Sequence, residues 1–320
     1  MNRIWHCLLL TLLLSSANLS QAQSHDVEAA NAQPLTPATT EAVTAELAET
    51  SAETLSQDGI ESHAQATTPD TASSDTAQLL FAPQAFRAEY KAIYNDDRIG
   101  RAWLTTTLED DIFHTQYRMK ATRGFASFVG ANLREQGRYA WSDNTIIPLY
   151  FKHRSKAFLS KKKWHANFDA LNGRVTGEYE GDEYDLPFEP SLLDPQTQLV
   201  YGAQLSAQLL IMPETQSAAA DTPDHEGDFA SVVKGELRNY HYALFRDQPL
   251  STDCGEFSTV RLLRTRAEST ATQEMWYAPE LDWLMVRMKI VQRDGDVLDM
   301  VLSGAELSGT LACGAFEDDD

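Results

Sequence analysis

From Phe86 onward, apolar side chains recur at every second position, and that period dictates strands rather than helices. Phe86, Ala88, Tyr90 and Ala92 fall on one face, because successive side chains of an extended chain point to opposite sides. Asn95-Asp96-Asp97 then turns the chain. Further strands are predicted over 99–108, 112–121, 133–141, 145–153, 162–168 and 175–179. Asn172-Gly173 and Gly181-Asp182 are hairpin signals, since glycine accepts positive φ. The pattern resumes after Phe229, over 237–245, 257–266, 273–277, 284–291 and 297–307, with Asp294-Gly295 as another turn. Many short strands at regular spacing predict a mainly β fold: one large curved antiparallel sheet or a partly open β-barrel. The stretch Gly124-Phe125-Ala126-Ser127-Phe128-Val129-Gly130 interrupts the alternation as an apolar turn or one helical turn.

One helix is expected to pack on that sheet. Asp194 is placed to cap it and Pro195 to occupy its first position. Tyr201, Leu205, Leu209 and Met212 follow at helical spacing, and Pro213 stops the run. Residues 213–228 are rich in Ala, Pro, Asp and Thr and are expected to form a mobile insertion.

Upstream of the strands the texture differs. Residues 1–22 combine Arg3, an apolar run over 4–14 and small residues at Ser20 and Ala22. That is the pattern of a secretory signal peptide cleaved after Ala22, and the apolar run is too short to span a bilayer. A periplasmic protein is expected. It is not expected to be a lipoprotein, because no cysteine stands at the cleavage site. Residues 23–80 hold ten acids, no Lys or Arg and no aromatic residue. Such a segment cannot bury enough apolar surface to offset its chain entropy, so a disordered acidic tether is expected. The expected organisation is completed by a single β-rich domain over 81–312 and a C-terminal cysteine with an acidic tail over 313–320.

Of three cysteines, Cys7 leaves with the signal peptide. Cys254 and Cys313 are an even pair in an exported chain, which is most simply a disulfide; two separate thiols are the alternative.

The formal net charge is −21, but the acids sit largely in the two tails, and residues 81–316 carry −8. An acidic balance disfavours nucleic acid as a partner. One basic cluster stands out: Lys161-Lys162-Lys163, with Lys152, Arg154 and Lys156 nearby. It suits phosphate head groups or another anionic partner, or else edge lysines that block strand pairing.

Signatures of chemistry are scarce. The sequence holds no G-x-S-x-G, no phosphate-binding loop with Lys, no H-E-x-x-H and no C-x-x-C. His114, His153, His165, His225 and His241 are scattered, although His153 and His165 could face each other across a hairpin through Ser160. No catalytic residue, metal site or cofactor is expected. The aromatic residues are more suggestive. If the sheet encloses more volume than its side chains fill, an apolar cavity results. Its candidate lining is Trp103, Phe125, Phe128, Trp141, Tyr201 and Leu205; if the interior is filled, these residues are core.

At Gln273-Glu274-Met275-Trp276-Tyr277-Ala278-Pro279, followed by Leu284-Met285-Val286-Arg287-Met288, the chain resembles bacterial envelope proteins of the domain of unknown function 3108 family. Met285 stands where proline is common in that pattern. Phe86-Arg87-Ala88-Glu89-Tyr90 to Gly100-Arg101-Ala102 resembles the family's opening hairpin. Gly124-Phe125-Ala126-Ser127-Phe128 resembles its apolar turn, and Leu193-Asp194-Pro195-Gln196-Thr197-Gln198-Leu199 the start of its helix. The resemblance covers about residues 84–307. It implies an exported, sheet-rich fold and supplies no activity and no catalytic residue. A looser architectural analogy is to periplasmic lipoprotein carriers with half-open barrels.

The function expected from the sequence is non-catalytic binding of an apolar or lipid-like envelope ligand. The alternative is an envelope scaffold whose protein partner reads the sheet edge or the N-terminal tether. An enzyme is the third reading.

Overall fold

The computed structural model describes residues 81–123, 131–157, 160–213 and 222–316. The expected signal peptide, the tether and the apolar turn with Phe125 and Phe128 lie outside the described residues.

The fold follows from two meanders. The first runs through β1 (Phe86–Tyr94), β2 (Asp97–Glu109), β3 (Ile112–Ala121), β4 (Asn132–Ser142), β5 (Thr145–Ala157), β6 (Ser160–Asp169), β7 (Arg174–Tyr179) and β8 (Asp182–Pro187). Helix α1 (Thr197–Ile211) then carries the chain to the second meander: β9 (His225–Val233), β10 (Glu236–Thr252), β11 (Gly255–Arg266), β12 (Ser269–Ala278), β13 (Leu284–Val291) and β14 (Val297–Leu307). A 3-10 turn, Pro279–Leu281, separates β12 from β13, and β15 (Thr310–Gly314) adds to β14. β1 pairs β14, so both meanders join in one fifteen-stranded antiparallel sheet.

The sheet is not closed. Its end strands, β8 and β9, do not pair with each other. The segment after β8 runs into the gap instead. Leu193 makes a parallel bridge to Ser231 of β9, with Leu193 N–H donating to Ala230 O at 3.0 Å and Val232 N–H to Leu193 O at 2.9 Å. A free edge would leave a row of unpaired backbone groups, and this segment covers part of one.

Turn chemistry sets the register. Asn95 and Asp96 both have positive φ, as do Asp110 and Asp111, and Asp143 and Asn144. Two left-handed residues in a row give tight hairpins whose twist matches the strands.

The sheet's inner face and α1 share the main core. Ala88, Tyr90, Leu104, Leu244, Leu262, Met275, Tyr277, Met300 and Leu302 pack with Ala203, Leu205 and Leu209 of the helix. A second cluster joins Phe151, Trp164, Phe168 and Val175 to Leu192 and Val232, and so ties β5–β7 to β9 across the gap. A third holds Phe113, Tyr139 and Ile146. The helix is buried well beyond the predicted stripe: Gly202, Ala203, Gln204, Ser206 and Ala207 are buried along with Leu205 and Leu209. Its small residues let strands approach closely. A Cβ on Gly202 would meet the Tyr277 hydroxyl.

Three differences from the sequence expectation concern boundaries. β9 starts at His225, inside the stretch expected to be mobile, and its residues pair across β10, with Gly227 opposite Tyr242. β8 forms from Asp182–Pro187, beyond the Gly181-Asp182 turn signal, where no strand is predicted because only Tyr184 and Leu186 alternate there. Cys313 belongs to β15, opposite Ala305, rather than to a tail. It is bonded to Cys254, 59 residues away in sequence.

Candidate functional site

The chain enters the fold through an extended segment, Phe81 to Gln84, that lies against an apolar cleft. The cleft is walled by Phe86, Leu104 and Tyr139 from the sheet, by Leu199, Val200 and Ala203 from α1, and by Leu281, Trp283, Leu284 and Met285 around the 3-10 turn. Its volume is about 60 Å³, and it opens to solvent on one side. The Phe81 ring also meets Trp141 edge-on, with centroids 5.6 Å apart.

One end of this cleft is polar. Thr115 Oγ1 and Gln196 Oε1 are buried there without a hydrogen-bond partner among the described residues. The two side chains converge because Gly137 lies between them: a Cβ on Gly137 would stand 2.6 Å from Thr115 Oγ1 and 3.0 Å from Gln196 Cβ. Buried polar atoms without partners are costly and uncommon in folded proteins. An apolar cleft with a few convergent polar groups is the usual form of a small-molecule site.

Behind Gln196 a polar belt crosses the interior. Gln196 Nε2 donates to Glu135 Oε2 at 2.8 Å, His153 Nδ1 lies 2.9 Å from Glu135 Oε1, and His153 Nε2 lies 3.2 Å from Ser155 Oγ. On the other side of the helix start, Arg264 reaches Gln198, whose Nε2 donates to Ser231 Oγ at 2.6 Å. Asp194 anchors the middle. Its Oδ1 accepts from Gln196 N–H at 2.7 Å and Thr197 N–H at 3.1 Å, and its carbonyl accepts from Gln198 N–H. Asp194 thus caps a turn over Pro195 and Gln196, and the regular helix begins later than predicted, at Thr197, with Gln196 rather than Asp194 at its N-cap. Burial pushes the Asp194 carboxyl up to about 7, opposed by its hydrogen bonds to Thr197 and Gln196, and the nearby Glu135 charge adds to the rise. Burial also pushes the Tyr117 hydroxyl up, with Glu135 adding to it.

Ser155, His153 and Glu135 stand in the order of an acyl-transfer triad. Ser155 is only 7% exposed and His153 8%, and the apolar cleft is lined by Gln196 but by none of the three. Their geometry ties β4 and β5 to the helix start. His165, which the sequence left free to face His153, points to the opposite face, because His153 pairs with Trp164 and His165 with Lys152. Among the described residues no group of three His, Cys, Asp or Glu is arranged to hold a metal ion.

The aromatic residues singled out from the sequence divide. Trp103 alternates with the inward Ala102 and Leu104, so it lies on the outer face, with the Arg118 guanidinium 5.2 Å from its ring centroid. This placement removes it from the cavity lining. Tyr201 packs edge-on against Phe229 and Tyr242, and Leu205 sits in the main core, so neither lines the cleft. Trp141 does not line the cleft itself but packs behind it, against Phe81 and the cluster with Tyr139. Thr115 was within reach of sequence reasoning, because it shares the inward period of Phe113 and Tyr117. Gln196, hidden in the cap, and the strap over 81–84 were not.

Fold and site together define a class: an incomplete β-barrel filled by one helix, with an apolar cleft at the helix start. The model of the family described as Protein of unknown function (DUF3108) matches residues 89–303, and the chain belongs to that family. No curated protein matches it. Among solved structures, a β-barrel-like protein of the DUF1849 domain family from Brucella abortus is similar at 9% identity and a TM-score of 0.46, covering 71% of this chain and 99% of that one. A DUF1089 family protein from Pseudomonas aeruginosa is similar at 14% identity and a TM-score of 0.31, covering 58% of this chain and 87% of that one.

Proposed function

We propose that the chain is a non-catalytic binding protein of the bacterial periplasm. In this reading it holds an amphiphile whose apolar end enters the cleft beside α1. The observation that carries the reading is the pairing of apolar walls with two unpartnered polar atoms, Thr115 Oγ1 and Gln196 Oε1, at one end. Gln196 Oε1 can only accept, so the matching ligand group carries an N–H or O–H donor. The location is supported by the leader-like residues 1–22 and by the Cys254–Cys313 bond, which suits an oxidising compartment.

Size limits what enters. An engineered cavity of roughly 150 Å³ accepts benzene, so about 60 Å³ takes the end of an acyl chain or a short branched group. A longer chain requires the strap over 81–84 to move aside.

Native mass spectrometry of the purified protein, followed by extraction of what it carries, tests the reading. A co-purifying amphiphile is expected. Val200→Trp should displace it, and Thr115→Val should weaken a ligand with a polar head more than a plain alkane. A protein that carries no amphiphile and binds no polarity-sensitive dye would overturn the proposal.

A further inference from the structure

The outer face of β3–β6 presents cations to cations. Arg118 stands directly opposite Arg134, Arg134 opposite Arg154, and Arg154 opposite Lys163, in one row across four strands. The next row sets Lys156 opposite Lys161. The matching inward row is Tyr117, Glu135, His153 and Trp164, so the alternation leaves no doubt about which face the charges occupy. Directly opposed side chains have Cβ atoms about 5 Å apart, and like charges at that distance destabilise a sheet. Residues 112–169 contain eleven Lys and Arg against three Asp and Glu, of which Glu135 points inward.

Within this face lies a depression of about 180 Å³, bordered by Lys152, Arg154, Lys163, His165 and Glu178. Glu178 accepts a hydrogen bond from Lys163 at 2.9 Å, and that pair forms one wall. The other wall is cationic. A tetrahedral phosphate offers the acceptor oxygens that Lys and Arg recognise.

We infer that the outer face of β3–β6 docks on an anionic phospholipid surface, with a headgroup phosphate seated between Lys152, Arg154 and Lys163. This inference stands apart from the cleft. It names a surface on which the protein works, not a ligand it carries.

The test is sedimentation of the protein, purified as the cell processes it, with phosphatidylcholine vesicles and with vesicles containing one quarter phosphatidylglycerol. Binding is expected only to the second kind and should fall steeply with salt. Each cation removed should lower partitioning about fivefold, so Arg134→Gln, Arg154→Gln and Lys161→Gln together should lower it on the order of a hundredfold. The same net change placed elsewhere, at Arg266→Gln, Lys289→Gln and Arg293→Gln, should leave it within a few-fold of the parent. Binding that ignores phosphatidylglycerol, or falls equally in both triple variants, overturns the inference. So does displacement from vesicles by polyglutamate with inorganic phosphate inert, which would assign the face to an acidic peptide.

Discussion

The two halves of the sheet handle their outward charges in opposite ways. In the second meander two outward arginines each reach an anion on the neighbouring strand. Arg261 pairs with Glu274 at 2.7 Å and lies over the Phe245 ring, and Arg287 pairs with Asp299 at 2.6 Å and lies over Trp276. Residues 225–307 hold nine Lys and Arg against fourteen Asp and Glu, enough acids for every base. In the first meander the row from Arg118 to Lys163 sets four cations side by side, and Lys163 at its end also reaches Glu178 at 2.9 Å. The strand architecture is shared, so secondary structure does not explain the contrast. A half that neutralises its own surface is built to hold itself, whereas a half that leaves like charges opposed keeps a cost that an external anion would relieve.

The comparison can be pressed from its strongest prediction downward. The second half is also held covalently. Replacing both Cys254 and Cys313 by Ser should lower unfolding free energy by about 4 kcal/mol on the loop-entropy model, measured by urea denaturation. An unchanged midpoint would mean the half holds without its bond.

Next in size is the polar belt on the seam between the halves. The folded Asp194 carboxyl titrates near 7, well above its ordinary value of 3.8, so the folded chain binds the extra proton between those limits. The Asp194 contribution to stability should therefore be largest below about pH 4 and should decline as pH rises to 7, by about 4 kcal/mol. Asp194→Asn keeps a capping side chain and should flatten that decline. A variant with the parent's pH profile would assign the slope to another group.

A smaller effect is expected from the outward ion pairs. Arg261→Gln with Arg287→Gln should lower stability by about 1 kcal/mol, since partly exposed pairs contribute roughly 0.5 kcal/mol each. A loss that persists in 1 M salt would point to the aromatic stacking rather than to charge.

Much of this architecture was legible as period and punctuation. Alternation located twelve of the strands, and Asp194-Pro195 located the helix start, because both signals are local. What escaped was set by tertiary pairing. β8 has acids at three of its six positions and exists because Tyr184 and Leu186 reach the second core cluster. β9 begins in a polar run that pairs along β10. The cleft was less legible still. Its aromatic candidates were chosen by type, yet Trp103 falls on the outer face by strand parity, and Tyr201 and Leu205 are core. The polar end depends on Gly137 letting Thr115 and Gln196 meet, a contact between residues far apart in the chain. The basic cluster was visible as Lys161-Lys162-Lys163, but only the register shows that Arg118 and Arg134 continue its row.

The most direct test of the contrast between the halves is a paired stability measurement in low salt. Arg134→Gln with Arg154→Gln should raise unfolding free energy by about 0.5 kcal/mol, because it removes opposed like charges, and the gain should fade in 1 M salt. Under the same conditions Arg261→Gln with Arg287→Gln should lower it. Both double variants losing stability together would contradict the account, since the first half would then be holding itself with those cations too.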